Sequence, residues 1–327
     1  MKRITCLFAI VLIFTACNNN FPQLSGPYMG QSLPGMSAEL FAPGIISNDL
    51  CNRDVAMSPD GKEMYFSVHT PDFAYAAIIC SKEVNGVWTK PEVVSFGKDP
   101  RYTTIEPAMS HDGKRLFFCS VLPKDGSDAP GDQDIWVVDR TAGGWSEPRS
   151  AGTAINTEGL EFFPSITREG TLYFTRADLG TNIHYIYRSK WVDGEYAEAE
   201  RLPEQVNLGA NRFNACVAPD ESYVIVPAVG GPGSLGGVDY YISFRNEDDS
   251  WTEPVNMGPE FNHASGQEWS PFVSPDGNYI FFMASIMAER NPEELTYDVF
   301  FEMERQAQNG NPDIYWIDAG ILDKLKK

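Results

Sequence analysis

Ile105-Glu106-Pro107-Ala108-Met109-Ser110-His111-Asp112-Gly113-Lys114-Arg115-Leu116-Phe117-Phe118-Cys119-Ser120-Val121 is the stretch that decides the fold. Two apolar-rich runs flank Asp112-Gly113, a strong short-range signal for a β-hairpin. The turn phrase returns as Ser58-Pro59-Asp60-Gly61, Thr167-Arg168-Glu169-Gly170, Ala218-Pro219-Asp220-Glu221 and Ser274-Pro275-Asp276-Gly277. Its acidic residues stand at 60, 112, 169, 220 and 276, so the steps are 52, 57, 51 and 56. A near-constant period of this size, with strands inside each unit, predicts radial repetition in a β-propeller.

Downstream of each hairpin a third strand is expected, as at Asp134-Ile135-Trp136-Val137-Val138 and Asp313-Ile314-Tyr315-Trp316. A fourth follows at Trp88-Thr89-Lys90-Pro91, Trp145-Ser146-Glu147-Pro148 and Trp251-Thr252-Glu253-Pro254, and more weakly at Tyr196-Ala197-Glu198-Ala199. The recurring aromatics read as packing between blades. The fifth unit has no such phrase after Asp313. Ala38-Glu39-Leu40-Phe41-Ala42-Pro43-Gly44 precedes the first unit much as Val255-Asn256-Met257-Gly258 precedes the fifth. The fold class expected is therefore all-β: a five-bladed propeller of four-stranded blades, the last completed by an N-terminal strand. Such closure removes open sheet edges.

The expected organisation is a signal peptide over 1–16, a tether over 17–36 and one propeller domain over 37–327. Lys2-Arg3 followed by the apolar run Ile4 to Phe14 has the form of a secretory signal and is too short for an ordinary membrane span. Phe14-Thr15-Ala16-Cys17 resembles a bacterial lipobox, which implies lipidation at Cys17. The absence of Asp after Cys17, and of an acidic run beyond it, leads to the expectation of an outer-membrane lipoprotein on the periplasmic face.

The formal charge of −20 argues against nucleic acid, which is held by clustered Lys and Arg. Without a lipid anchor it also disfavours attachment to anionic bilayers. An exported protein could pair Cys51, Cys80, Cys119 and Cys216, but Cys80, Cys119 and Cys216 fall inside apolar strand patterns of different repeats and read as small buried hydrophobes. No cysteine spacing suits zinc. His69, His111, His184 and His263 are dispersed, and the acidic loop Asp125, Asp128, Asp132, Asp134 lacks the EF-hand order of ligands. There is no nucleophile elbow or P-loop, and the Gly230–Gly237 region reads as a blade loop. No cofactor is expected.

These turn phrases, together with Tyr28-Met29-Gly30-Gln31, Phe41-Ala42-Pro43-Gly44-Ile45-Ile46-Ser47 and Asp313-Ile314-Tyr315-Trp316-Ile317-Asp318-Ala319, resemble the PD40 or TolB-like propeller lipoproteins of Gram-negative bacteria. The resemblance runs from Tyr28 to the C-terminus and implies the fold, not an activity, because propellers host binding and catalysis alike. Two departures are the long segment 285–312 and the loss of the turn glycine at Glu221. Within that segment, Val299, Phe300 and Met303 fit one face of a short helix, placed over the channel mouth or on the outer rim.

In a propeller the first strand of each blade lines the channel. The positions six before each turn phrase are Asn52, Thr104, Glu161, Arg212 and Glu268; two further on come Asp54, Glu106, Phe163, Asn214 and Ser270. Arg53 and Phe213 lie between them. This mixed-charge ring, with Glu161 pairing Arg212, serves either as a mouth that binds a ligand or as glue between blades. The expected function is a non-enzymatic envelope binding or scaffold module that recognises a protein partner or glycan at Asn52, Arg53, Asp54, Glu106, Glu161, Arg212, Asn214 and Glu268. The alternative is a carbohydrate-active hydrolase or lyase using carboxylates of the same ring.

Overall fold

The computed structural model describes residues 21–124, 126–264 and 267–326. Cys17 and the expected signal peptide lie outside the described residues. The chain forms a five-bladed β-propeller. The inner strands are Cys51–Met57, Thr104–Met109, Glu161–Ile166, Asn211–Arg212 with Cys216–Val217, and Glu268–Val273. Each pairs with a second strand: Glu63–His69, Arg115–Ser120, Leu172–Ala177, Tyr223–Val229 and Tyr279–Met287. Third strands run Ala76–Val84, Asp134–Thr141, His184–Ser189, Asp239–Phe244 and Asn309–Asp318.

The fourth strands are shorter than the sequence phrase implies. Trp88 and Trp145 belong to small hairpins on the end of the third strand, and the outer ladder is made after the proline, by Glu92–Val93 and Arg149–Ser150. In the fifth blade this place is taken by Glu39–Leu40, with Glu39 opposite Trp316 and Leu40 opposite Tyr315. The expected closure by the N-terminal strand is what the structure contains. Phe41 then drops fully buried between Phe281 and Trp316, its ring 5.0 and 5.1 Å from theirs.

The repeated turn has a clear chemical basis. Ser58 Oγ donates to Asp60 Oδ1 at 2.6 Å and accepts from the Glu63 N–H at 2.8 Å, while Gly61 adopts φ +69°. Ser110/Asp112/Gly113 and Ser274/Asp276/Gly277 repeat it. Glu221 takes the left-handed conformation without being glycine, φ +57°, which is disfavoured for a residue with Cβ. Its carboxylate is used in return, accepting from Tyr173 Oη at 2.9 Å and pairing with Arg245 at 2.8 Å.

Within the stretch expected to be a tether, some residues touch the propeller while others, such as Leu33 and Met36, are exposed. Leu24 and Gly26 carbonyls accept the Trp88 backbone and indole N–H groups, both at 2.8 Å, and Tyr28 reaches Asp276. Met29 is buried in the core shared by the first and fifth blades. All four described cysteines are free thiols; three are buried and Cys80 is half-buried. Among the described residues no helix is long and apolar enough to cross a membrane.

Candidate functional site: an aromatic mouth over a charged floor

Each inner strand is interrupted at one equivalent place. The register shifts after Arg53, Ile105, Phe162 and Trp269, and in the fourth blade the strand splits around Asn214. The next residue in every blade is left-handed: Asp54, Glu106, Phe163, Asn214 and Ser270 have φ of +58°, +59°, +50°, +51° and +61°. Five non-glycine residues in this sparsely populated region are held by bonds to neighbouring blades. The Glu106 N–H donates to Ser67 Oγ (2.9 Å), Phe163 N–H to Glu106 Oε2 (2.7 Å) and Asn214 N–H to Thr175 Oγ1 (2.9 Å).

The side chains of this ring converge on Arg53. Its Nε lies 2.7 Å from Asp54 Oδ1, and its Nη2 lies 3.0 Å from Glu106 Oε1 and 3.2 Å from Ser270 Oγ. Ser270 Oγ donates to Asp54 and accepts from Asn214 Nδ2 at 3.3 Å. All five blades thus meet in one network whose members are buried. Burial alone would lower the Arg53 guanidinium, but the carboxylates of Asp54 and Glu106 outweigh it and hold it above its ordinary value. Burial pushes the Glu106 carboxyl up to about 7 despite the attraction of Arg53.

Two cavities lie on opposite sides of this network. The larger, about 460 Å³, is floored by Arg53, Glu106 and Asn214, with Gln133 at its side. Its walls are Phe73, Phe162, His184, Phe213 and Trp269. The rings form an arc: Phe162 to His184 at 5.2 Å, His184 to Phe213 at 6.2 Å and Phe213 to Trp269 at 6.0 Å, all near edge-to-face. Arg53 closes the arc 5.5 Å from the Trp269 ring. Burial, with Arg212 nearby, holds His184 below its usual pKa. Its Nδ1 and the Trp269 Nε1 have no hydrogen-bond partner among the described residues. The smaller cavity, about 60 Å³, is edged by Val55, Pro107, Pro164 and Pro271, with Ser110, His111 and Ser165 also in its lining.

The sequence-predicted ring therefore divides. Arg53, Asp54, Glu106 and Asn214, with Ser270, come together in the channel. The other four sit away from it and hold the connections into each blade. Asn52 Nδ2 donates to Asn48 Oδ1 and the Leu50 carbonyl. Glu161 accepts from the Thr157 N–H at 3.0 Å, and Glu268 from the His263 N–H and ring. Burial raises the Glu268 carboxyl above its ordinary value. The expected Glu161–Arg212 pair is absent. Glu161 instead pairs with Arg176 of its own blade at 2.8 Å, because the two residues face each other across the first and second strands. Arg212 donates to the carbonyls of Leu208, His184 and Gly209.

Phe73, Phe162 and Trp269 escaped the sequence reading, and His184 was read only as one of four dispersed histidines. Phe162, Phe213 and Trp269 share one repeat position with Arg53 and Ile105, just before the bulge, and that shared position was the available signal. The acidic loop is neutralised rather than metal-like: Lys124 pairs with Asp132 and Asp134, Arg101 with Asp128, and Asp125 lies outside the described residues. Among the described residues no cluster of three metal-binding side chains occurs. The helix Tyr297–Glu304 is capped by Thr296 and lines no part of the mouth; Val299 and Met303 are half-buried, whereas Phe300 points to solvent.

No family model and no curated protein matches the chain. Among solved structures it is similar to one described as a complex of BT0996 with RGII, at 8% identity, 90% and 92% coverage of the two proteins and a TM-score of 0.49. It is similar to a protein of unknown function from Dyadobacter fermentans DSM 18053, at 14%, 77% and 80%, and 0.43. It is also similar to prolyl oligopeptidase B from Galerina marginata, at 11%, with 72% of this chain covered and a TM-score of 0.42; there the chain spans 32% of the larger enzyme's length. At these identities the likeness concerns the propeller fold alone.

Proposed function

We propose that this protein is a non-enzymatic binding module of the cell envelope, and that its ligand is a glycan received at the aromatic mouth. The observation that carries the reading is the arc of Phe162, His184, Phe213 and Trp269 above the polar floor of Arg53, Glu106 and Asn214. Aromatic faces pack against the C–H faces of sugar rings, while a few placed polar groups fix orientation. A cavity of about 460 Å³ falls within the usual range for small-ligand sites. A protein partner that inserts a side chain at the same mouth is the competing ligand.

The PD40/TolB-like resemblance and the lipobox-like Cys17 extend the proposal to an outer-membrane lipoprotein facing the periplasm. Release from membranes by Cys17→Ser, followed by fractionation, tests that part.

A second reading, a glycoside hydrolase or polysaccharide lyase, draws on Glu106, whose pKa near 7 would suit a general acid. Against it, Glu106 Oε1 is held by Arg53 and Oε2 by the Phe163 N–H, so neither oxygen is free to meet a glycosidic bond. A glycan array followed by mass spectrometry of bound material separates the two. Intact ligand supports the binding module, and shortened products would overturn it.

A further inference from the structure

The floor of the mouth is a complete barrier. Arg53, Asp54, Glu106, Asn214 and Ser270 are each at most 4% exposed and bridge all five blades, so nothing threads the channel. Beyond them, among the described residues, lies a cavity of about 60 Å³, far below the size of a ligand site. A chain entering at the aromatic arc must stop at the floor and meet it with one end.

The floor also carries no spare positive charge. Its one guanidinium is bonded to two carboxylates. An anionic group brought against it would be desolvated without a partner, which is costly. The net charge of −20 opposes it further. The walls, in contrast, are aromatic: Phe73, Phe162, His184, Phe213 and Trp269.

From this we infer that the mouth recognises the terminal, uncharged unit of a neutral glycan chain, end-on, and does not grip the chain along its length. The inference rests on the glycan reading above and adds to it both the polarity and the part of the chain that is read.

The test uses ladders of neutral gluco-, galacto-, manno- and xylo-oligosaccharides of one to eight units, their parent polymers, and the same oligosaccharides ended in a uronic acid. Binding is followed by calorimetry and Trp fluorescence. Expected is one ladder whose affinity rises over the first two or three units and then stays flat. Its polymer should compete in proportion to the molarity of chain ends, and its uronate-ended form should bind at least tenfold more weakly. Borohydride reduction of the oligosaccharide then tells which end is read. Phe213→Ala, or Phe213→Leu if the former unfolds, should weaken binding at least tenfold. Affinity that keeps rising with length, competition in proportion to polymer mass, or a preference for the uronate end would overturn this inference while leaving the glycan reading intact. Binding of no ladder, with capture of an envelope protein at Phe213 instead, would overturn both.

Discussion

Arg53 Nη2 of the first blade lies 3.0 Å from Glu106 Oε1 of the second and, in the same buried shell, 3.2 Å from Ser270 Oγ of the fifth. One cation therefore neutralises carboxylates on two blades and reaches a hydroxyl on a third. The contacts that floor the mouth thus also tie the first, second and fifth blades together.

Removing that cation should be costly. Arg53→Met strands Asp54 and Glu106 as buried carboxylates, and loss of one member of a buried pair costs about 3–5 kcal/mol. The triple variant Arg53→Met, Asp54→Asn, Glu106→Gln should recover much of the loss, since no charge is left unpaired. Denaturant unfolding measures both; a single-variant loss below about 1 kcal/mol would show the network to be marginal.

The two buried glutamates outside the channel should respond differently. Glu161→Gln breaks the 2.8 Å pair with the largely buried Arg176 and should cost roughly 1.5–3 kcal/mol. Glu268, whose Oε2 has no partner among the described residues and whose carboxyl burial already holds high, should tolerate Gln with little change in melting temperature. Ligand affinity per folded molecule should be unchanged in both, and a selective loss of affinity would return these residues to the site.

The mouth aromatics should behave in the opposite way. Phe162 and Phe213 are only half-buried, so Phe162→Ala and Phe213→Ala should shift the melting temperature little. Bound glycan should be lost by tenfold or more, about 1.4 kcal/mol. Equal losses of stability and binding would mean that the arc is only packing.

Asp313 supplies a pH dependence. It is buried, its Oδ2 accepts the Gln308 N–H at 2.5 Å, its Oδ1 has no partner among the described residues, and burial pushes its carboxyl up to about 6. The native state keeps this proton to a higher pH than the unfolded chain does. Its contribution is therefore fully present below about pH 4 and is lost as pH rises to about 6, on the order of 3 kcal/mol. Asp313→Asn should remove that slope and gain stability over the wild type at pH 7. Parallel stability curves from pH 4 to 7 for the two proteins would refute the assignment.

Closure depends on Phe41, which sits between Phe281 and Trp316. Phe41→Ala should cost about 3–5 kcal/mol. Hydrogen exchange should then show early opening at the Phe41 and Trp316 amides, before the second and third blades open. Uniform opening would mean that the seam is no weaker than the rest.

Architecture was legible because it is carried by local chemistry repeated at a fixed period. The Ser-x-Asp-Gly turn, present in three blades, specifies its own hydrogen bonds within a few residues, the five turn phrases at near-constant spacing count the blades, and the unmatched Glu39–Leu40 segment marks the closing strand. The site was only half legible. Strand alternation puts Asn52 and Asp54, or Glu161 and Phe163, on one face of the sheet. The bulge, with its left-handed residue, breaks that period at a single position and turns the later member into the channel while its predecessor stays with the connecting loop. Pairing was likewise decided in three dimensions. Glu161 meets Arg176 directly across its own hairpin, whereas the Arg212 guanidinium is drawn to backbone carbonyls of the connection it closes. Sequence determined the repeated unit because each turn satisfies itself. Tertiary structure alone decided which charges meet, because a bulge of one residue and the closing of five blades set distances that no spacing along the chain encodes.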